Sequence, residues 1–237
     1  GKVEYNRETK GFLLPNASKM VTEAQDGYDI HLTLDKTIEN FLEDAMNKAE
    51  EKYNPEKMTA IVANAKTGEI LAMSQRPTFE PNTREGLSTN WLNEAIEQTI
   101  EPGSTMKIFT LASAIEEGVW NPNDQFKSGS YKVYDRTIRD HNVVGWGTIS
   151  YLEGFQRSSN VSMAFLLNKI GDETFIEYIR RFGFGQPTGI DLPNEASGIV
   201  NDRYPINRVT TTYGQGVTVT PIQLVQGMTA IANEGTM

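Results

Sequence analysis

The stretch Glu101-Pro102-Gly103-Ser104-Thr105-Met106-Lys107 decides how this chain is read. A serine hydroxyl is a poor nucleophile until a base takes its proton. At spacing i, i+3 on a helix, Ser104 and Lys107 lie on one face, one turn apart. Ile108, Leu111, Ala112 and Ile115 continue at helical spacing. They predict a helix beginning near Ser104, with those four along one face and Gly118 closing it. A serine at a helix start has free backbone N–H groups and the positive end of the dipole turned toward any developing oxyanion. Lysine works as a base only when neutral, so burial must pull its pKa down from about 10.4. The pattern alone is weak, since about one chance Ser-x-x-Lys match is expected per chain of this length. A capping serine beside a solvated lysine is the ordinary alternative. Ser104 is nevertheless the only serine here with lysine three residues on.

A second candidate, Ser158-Ser159-Asn160, lies 54 residues downstream, just before a helical pattern carrying Met163 and Leu167. A hydroxyl and a carboxamide two residues apart at a loop–helix junction can both face one cleft. The hydroxyl can relay a proton, and the amide can hold a substrate carbonyl or the lysine. Plain N-capping explains the same residues.

Composition removes most other chemistries. The net charge of −9 and the lack of any Lys/Arg cluster argue against a nucleic-acid partner. The absence of cysteine excludes disulfides, thiolate catalysis and Cys-ligated zinc. Two histidines, His31 and His141, in no HExxH pair, speak against a zinc enzyme and a Ser-His-Asp hydrolase. With 38% hydrophobic and 22% charged residues, the 237 residues suit one folded domain of ordinary to large size, or one domain with a short appendage. No apolar run approaches the roughly 18 residues of a membrane span, and Gly1-Lys2-Val3-Glu4 does not resemble a signal peptide.

Along the chain, residues 1–26 are polar and weakly periodic and read as a connector or the remnant of an earlier module. The alternation of Ile30, Leu32 and Leu34 predicts a half-buried strand. Ile38, Phe41, Leu42, Ala45 and Ala49 predict an amphipathic helix of about 18 residues, stopped by Asn54-Pro55. Two apolar runs, Thr59 to Ala63 and Glu69 to Met73, flank a turn with Gly68 and predict a β-hairpin. Residues 76–90 read as a loop. Further helices are expected from near Ser159 to Gly171, from Asp172 to Phe182 with Phe175 and Ile179 inward, and from Pro221 to Asn233.

With both motifs in place, the sequence resembles the transpeptidase domain of penicillin-binding proteins, whose signature is Ser-x-x-Lys, Ser-x-Asn and Lys-Thr/Ser-Gly. The resemblance runs from about Gly27 onward. Lys66-Thr67-Gly68-Glu69-Ile70-Leu71-Ala72-Met73 looks like the family's first hairpin, and Pro77-Thr78-Phe79-Glu80-Pro81-Asn82 looks most like class B, monofunctional members. Phe182-Gly183-Phe184-Gly185, Tyr213-Gly214-Gln215-Gly216 and Val219-Thr220-Pro221-Ile222-Gln223 also match. Three stretches spell motifs out of order. Lys66-Thr67-Gly68 and Ser88-Thr89-Asn90 precede Ser104, and Lys127-Ser128-Gly129 lies between the first two motifs. No third motif follows Ser158-Ser159-Asn160 before Met237, so residues 27–237 are expected to be an incomplete transpeptidase domain. Glu195 could be the water-activating base of a β-lactamase but sits in a stretch common to transpeptidases, and reads as surface or structural. Gly183-Phe184-Gly185 lacks the spacing of a dinucleotide loop.

The resemblance implies a mixed α/β fold of the penicillin-binding protein and serine β-lactamase type. It has a sheet flanked by helices plus a helical lobe, here lacking the C-terminal strands. It implies peptidoglycan crosslinking. Ser104 attacks the penultimate D-alanine of a stem peptide, Lys107 takes its proton, Ser158 passes protons to the leaving amine, and Asn160 orients substrate and Lys107. Tyr213, Gly214 and Gln215 join Ser104 and Asn160 as substrate-binding residues. No metal or cofactor is implied. The implied partners are stem peptides, β-lactam antibiotics and membrane-anchored wall-synthesis proteins. The implied location is the outer face of the bacterial cytoplasmic membrane, held by an N-terminal span outside this chain. A β-lactamase or penicillin sensor, and a non-catalytic scaffold, are the rival readings.

Overall fold

The computed structural model describes residues 2–4, 10 and 20–237. The chain divides into two units, residues 1–33 and 34–237. In the first, β1 (Lys2–Glu4) pairs antiparallel with β2 (Met20–Thr22), Val3 opposite Val21. The strand expected from Ile30, Leu32 and Leu34 is not formed, and Ile30 and Leu32 stand 84% and 71% exposed. Alternation makes a strand only where a neighbour completes the ladder. The chain meets the hairpin at Asp35, whose N–H donates to Leu71 O at 2.9 Å.

In the second unit, α1 (Lys36–Tyr53) has the predicted 18 residues. Asp35 caps its start by accepting from Thr37 N and Ile38 N, and Asn54, at φ +44, ends it in the left-handed conformation. Its inner face is rotated from the expected one. Met46 is buried while Phe41 is 70% exposed. Polar residues take the inner positions because they have partners there: Glu39 accepts from Met73 N at 3.1 Å, and Glu43 bonds to Ser74 and, at 2.7 Å, to Arg76. The predicted hairpin is present as β3 (Met58–Ala63) and β4 (Ile70–Arg76), with Ile61 opposite Met73 and Gly68 at φ +78 in the turn. A short α2 (Glu94–Glu97) buries Ala95 and Ile96.

The helical lobe opens with a 3₁₀ turn (Gly103–Thr105) leading into α3 (Met106–Glu116). Four short strands follow: β5 (Gln125–Lys127), β6 (Ser130–Val133), β7 (Arg136–Arg139) and β8 (Thr148–Ser150). They pair as β5 with β8 and β6 with β7. Next come α4 (Tyr151–Gln156), α5 (Asn160–Ile170) and α6 (Asp172–Arg181). After β9 (Ile199–Val200), α7 (Pro205–Thr211) and β10 (Val217–Thr218), α8 (Pro221–Ala232) starts with a Thr220–Gln223 capping box and packs on β3.

The lobe's core is built on α5, whose Val161, Met163, Leu166 and Leu167 are all buried, in keeping with the helical pattern read at Met163 and Leu167. The inner face of α3 differs from expectation. Phe109, Thr110, Ser113 and Ala114 are buried, and Ile115 faces out. Hydroxyls are accommodated there because Thr110 donates to Thr212 O at 2.8 Å and Ser113 to Phe109 O at 2.8 Å, so both buried hydroxyls are satisfied. Phe109 packs between Phe182 and Phe184, with ring centroids 5.1 and 4.9 Å away.

Candidate active site

Gly103 sits at φ +56, and its N–H donates to Gly214 O at 3.0 Å. A Cβ on Gly214 would lie 2.1 Å from Gly103 O, so this approach requires glycine. The neighbouring backbone is tied as firmly. Ile100 and Val219 exchange both N–H bonds at 2.8 and 2.9 Å, and Glu101 accepts from Gly216 N at 2.8 Å. Residues 214–219 thus clamp the turn that carries Ser104. Ser104 itself is exposed, while Lys107, one turn on, is only 2% exposed.

Ser158 is brought to both. Lys107 Nζ donates to Ser158 O at 2.5 Å and to Ser158 Oγ at 2.9 Å, and Ser158 Oγ donates to Ser104 Oγ at 2.9 Å. The hydrogen bonds of Lys107 go to Ser158, so lysine and Ser104 are linked through the second hydroxyl. Local chain geometry explains why Ser158 can reach. It follows α4 at φ +56, its N–H donating to Phe155 O at 2.9 Å and the Ser159 N–H to Gly154 O at 2.8 Å. These two bonds form a Schellman C-cap, a site usually held by glycine. A serine there accepts backbone strain of about 1–3 kcal/mol, and its hydroxyl lands between the other two groups.

Burial is the larger influence on Lys107 and pulls its pKa from 10.5 to about 8, while the negative charge of Asp140 acts the other way. At pH 7 roughly one molecule in ten then carries a neutral amine, against fewer than one in a thousand for a free lysine.

Asn160 opens α5. Its Nδ2 donates to Arg139 O at 3.0 Å, with no bond to Lys107. Tyr213 is buried in the lobe core, and burial raises its phenol pKa to about 12; Gly214 is buried against Gly103, and Gln215 is exposed. The out-of-order motifs have structural places. Lys66-Thr67-Gly68 forms the hairpin turn, Ser128 Oγ donates to Gly147 O at 2.8 Å, and Asn90 Nδ2 donates to Thr78 O at 3.2 Å. Glu195 holds its own loop, accepting from Thr188 N and Oγ1 at 2.7 and 2.6 Å and from Gly189 N at 3.0 Å.

Asp140 escaped the sequence reading. It is 2% exposed and accepts from Gly129 N, Ser159 Oγ and Val161 N at 2.8, 2.8 and 3.0 Å. Its partners lie 11, 19 and 21 residues away, so no local pattern announces it. The bond from Glu101 to Gly216, 115 residues on, is equally silent in the sequence. Among the described residues, no group of three or more His, Cys, Asp or Glu is placed to hold a metal ion.

The α/β fold brings an exposed serine, a buried lysine and a bridging serine into contact. Residues 58–237 match the penicillin binding protein transpeptidase domain family, and the chain belongs to that family. It is 40% identical to Stage V sporulation protein D of Bacillus subtilis, over 100% of this chain and 38% of that protein. It is 34% identical to Penicillin-binding protein PbpB of Mycolicibacterium smegmatis (99% and 37%), and 31% identical to the probable peptidoglycan D,D-transpeptidase FtsI of Caulobacter vibrioides (90% and 36%). The crystal structure of Penicillin Binding Protein 2X from Streptococcus thermophilus superposes with a TM-score of 0.86 at 37% identity, covering 98% of this chain and 35% of that one. The chain thus spans less than two-fifths of the length of these relatives.

Proposed function

We propose that this chain carries the acyl-transfer centre of a class B peptidoglycan D,D-transpeptidase that works through a Ser104 acyl-enzyme. The observation that supports it most is the unbroken line of hydrogen bonds from buried Lys107 through Ser158 to exposed Ser104. Ser104 Oγ attacks the carbonyl carbon of the penultimate D-alanine of a stem peptide. Its proton passes to Ser158 Oγ as the Ser158 proton passes to the neutral Lys107 amine. The oxyanion forms against the Ser104 backbone N–H at the helix start. Collapse breaks the peptide bond, and the D-alanine amine leaves with a proton returned along the same line. An amine of a neighbouring stem then attacks the ester, and Ser104 is released.

Asn160 has its Nδ2 engaged by Arg139 O, so its Oδ1 is the atom left to accept from the substrate amide. Gln215 is the exposed member of the Tyr213-Gly214-Gln215 segment and the one placed here to contact substrate, with buried Tyr213 and Gly214 supporting it. β-Lactams acylate Ser104 in the same way, since their strained amide takes the place of the D-alanyl-D-alanine bond. Residues 27–237 make up the catalytic domain. Its substrates are at the outer face of the cytoplasmic membrane, among membrane-anchored wall-synthesis partners. Among the described residues no helix is long and apolar enough to cross a membrane, so the proposed anchor belongs to sequence outside them. The reaction draws on side chains and backbone alone.

Labelling of the full-length protein with a fluorescent penicillin, followed by a chase, tests this reading. With Glu195 occupied by its own loop, the adduct is expected to form and persist for many minutes. Steady hydrolysis without accumulated adduct would mark a β-lactamase, and no adduct at all would mark a scaffold.

A further inference from the structure

We propose that Asp140 is a positioning residue for the acyl transfer, pinning the chain on the far side of Ser158 so that its hydroxyl stays between Ser104 and Lys107. The inference rests on the role of Ser104 proposed above. A residue held at positive φ without glycine persists only where its surroundings over-determine it. The residue before Ser158 is fixed by the C-cap of α4. The residues after it are fixed by Asp140, whose Oδ1 accepts from Ser159 Oγ at 2.8 Å and Val161 N at 3.0 Å. Its Oδ2 accepts from Gly129 N at 2.8 Å, and its own N–H donates to Gly129 O at 3.0 Å, anchoring the carboxylate to the turn between β5 and β6. Ser159 is therefore held from two directions, since its Oγ also accepts from Ser162 N at 3.0 Å as the cap of α5. Release of this pin would let residue 158 relax toward the extended region and swing Oγ away from both partners.

A buried cap does not require a charge, because a neutral acceptor can satisfy an N–H. The charge has a use here. Charged and titratable groups on the elements around Asp140 are Lys107 and Glu116 on α3, Lys127 on β5, Tyr131 and Lys132 on β6, Arg136 and Arg139 on β7, Lys169 at the far end of α5, and His141 beside it. Lys107 alone among them is buried. His141 stacks edge-on to Trp146, and Arg157 lies over the same ring, bonded to Glu153. Asp140 thus faces Lys107 as a countercharge in a region that water does not screen. It limits how far burial alone would depress the amine.

The two effects separate experimentally. Penicillin acylation rates of the full-length protein are measured against pH for wild type, Asp140→Asn and Ser159→Ala, with folding checked by circular dichroism. Asp140→Asn is expected to slow acylation by about 10–100-fold, the usual worth of a supporting carboxylate. It also moves the midpoint of the pH–rate profile to the acid side of wild type, because the charge favouring the protonated amine is gone. Ser159→Ala is expected to slow acylation with the midpoint unmoved, since it loosens the pin and keeps the charge. A purely structural Asp140 would lower the yield of folded protein without moving the midpoint. Wild-type rate and midpoint in folded Asp140→Asn overturn the proposal. Should that variant not fold, a Ser159→Ala rate within threefold of wild type overturns it. A wild-type protein that never labels would instead remove the reading of Ser104 on which the proposal rests.

Discussion

Lys107 Nζ grips Ser158 twice, at its carbonyl oxygen (2.5 Å) and its hydroxyl (2.9 Å), and so orients the hydroxyl that reaches Ser104. The first contact holds the backbone of a residue at positive φ, and the second lies on the path proposed for the proton. A lysine placed for direct contact with Ser104 would need neither.

The proposed bridging role of Ser158 makes its two smallest replacements informative. Ser158→Ala and Ser158→Gly both remove the hydroxyl, and both are expected to slow acylation by about 10²–10⁴-fold, the worth of a positioned proton-transfer group. Their stabilities should differ in a set direction. Glycine is at ease at φ +56 and alanine is not, so Ser158→Gly should be more stable by about 1 kcal/mol in urea unfolding. Near wild-type acylation in either variant would show that Lys107 serves Ser104 without the bridge.

A base with a pKa of about 8 dictates a pH profile. In the proposed mechanism the reactive species is the neutral Lys107 amine, so the acylation rate is expected to rise with pH and level off above about 8. Lys107→Arg keeps the charge and loses the ability to accept a proton, because guanidinium stays protonated in proteins. It is expected to slow acylation by about 10²–10⁴-fold and to abolish the inflection. A folded Lys107→Arg protein slowed less than threefold would remove the role.

The same burial should be visible in stability. Below about pH 8 Lys107 is charged in the folded and unfolded states alike, and the folded state bears the full burial cost. Between about 8 and 10.5 the folded protein has released the proton that the unfolded chain still holds, so stability rises with pH. The span corresponds to a relief on the order of 3 kcal/mol. Tyr151 and Tyr213, both raised to about 12 by burial, act in the opposite sense above about 10, which confines the window to roughly pH 8–10. Denaturant unfolding of wild type should follow this rise, and Lys107→Met should flatten it. An equal slope in the variant would contradict the buried charge.

Much of this site was legible because its parts obey short spacings. Ser104 and Lys107 sit three apart on one helix, and Ser158 and Asn160 sit at a helix start. The hairpin was legible because β3 and β4 are adjacent in sequence and joined at Gly68. Asp140 and the Glu101–Gly216 bond were not, since their partners are assembled only by the fold. The inner face of α3 was misread because Thr110 and Ser113 look like surface positions until their hydroxyls find carbonyls inside. Ile30 and Leu32 show the converse error, an alternating pattern with no ladder to join.

The glycine contact behind the Ser104 turn gives a test of positioning without touching a reactive group. A Cβ at Gly214 would meet Gly103 O at 2.1 Å and Gly103 N at 2.5 Å, with φ at +78 besides. Gly214→Ala is therefore expected to cost more than about 2 kcal/mol of stability and to slow acylation in whatever protein remains folded. Wild-type stability and rate would mean that the 214–219 segment does not hold the turn.

The most direct test of the account is the mass of the acylated protein. Full-length protein treated with penicillin should gain the mass of one penicilloyl group, located at Ser104 by peptide mapping, and Ser104→Ala should gain none. An adduct that survives the substitution, or one mapped to another residue, would contradict the assignment of Ser104 as the nucleophile.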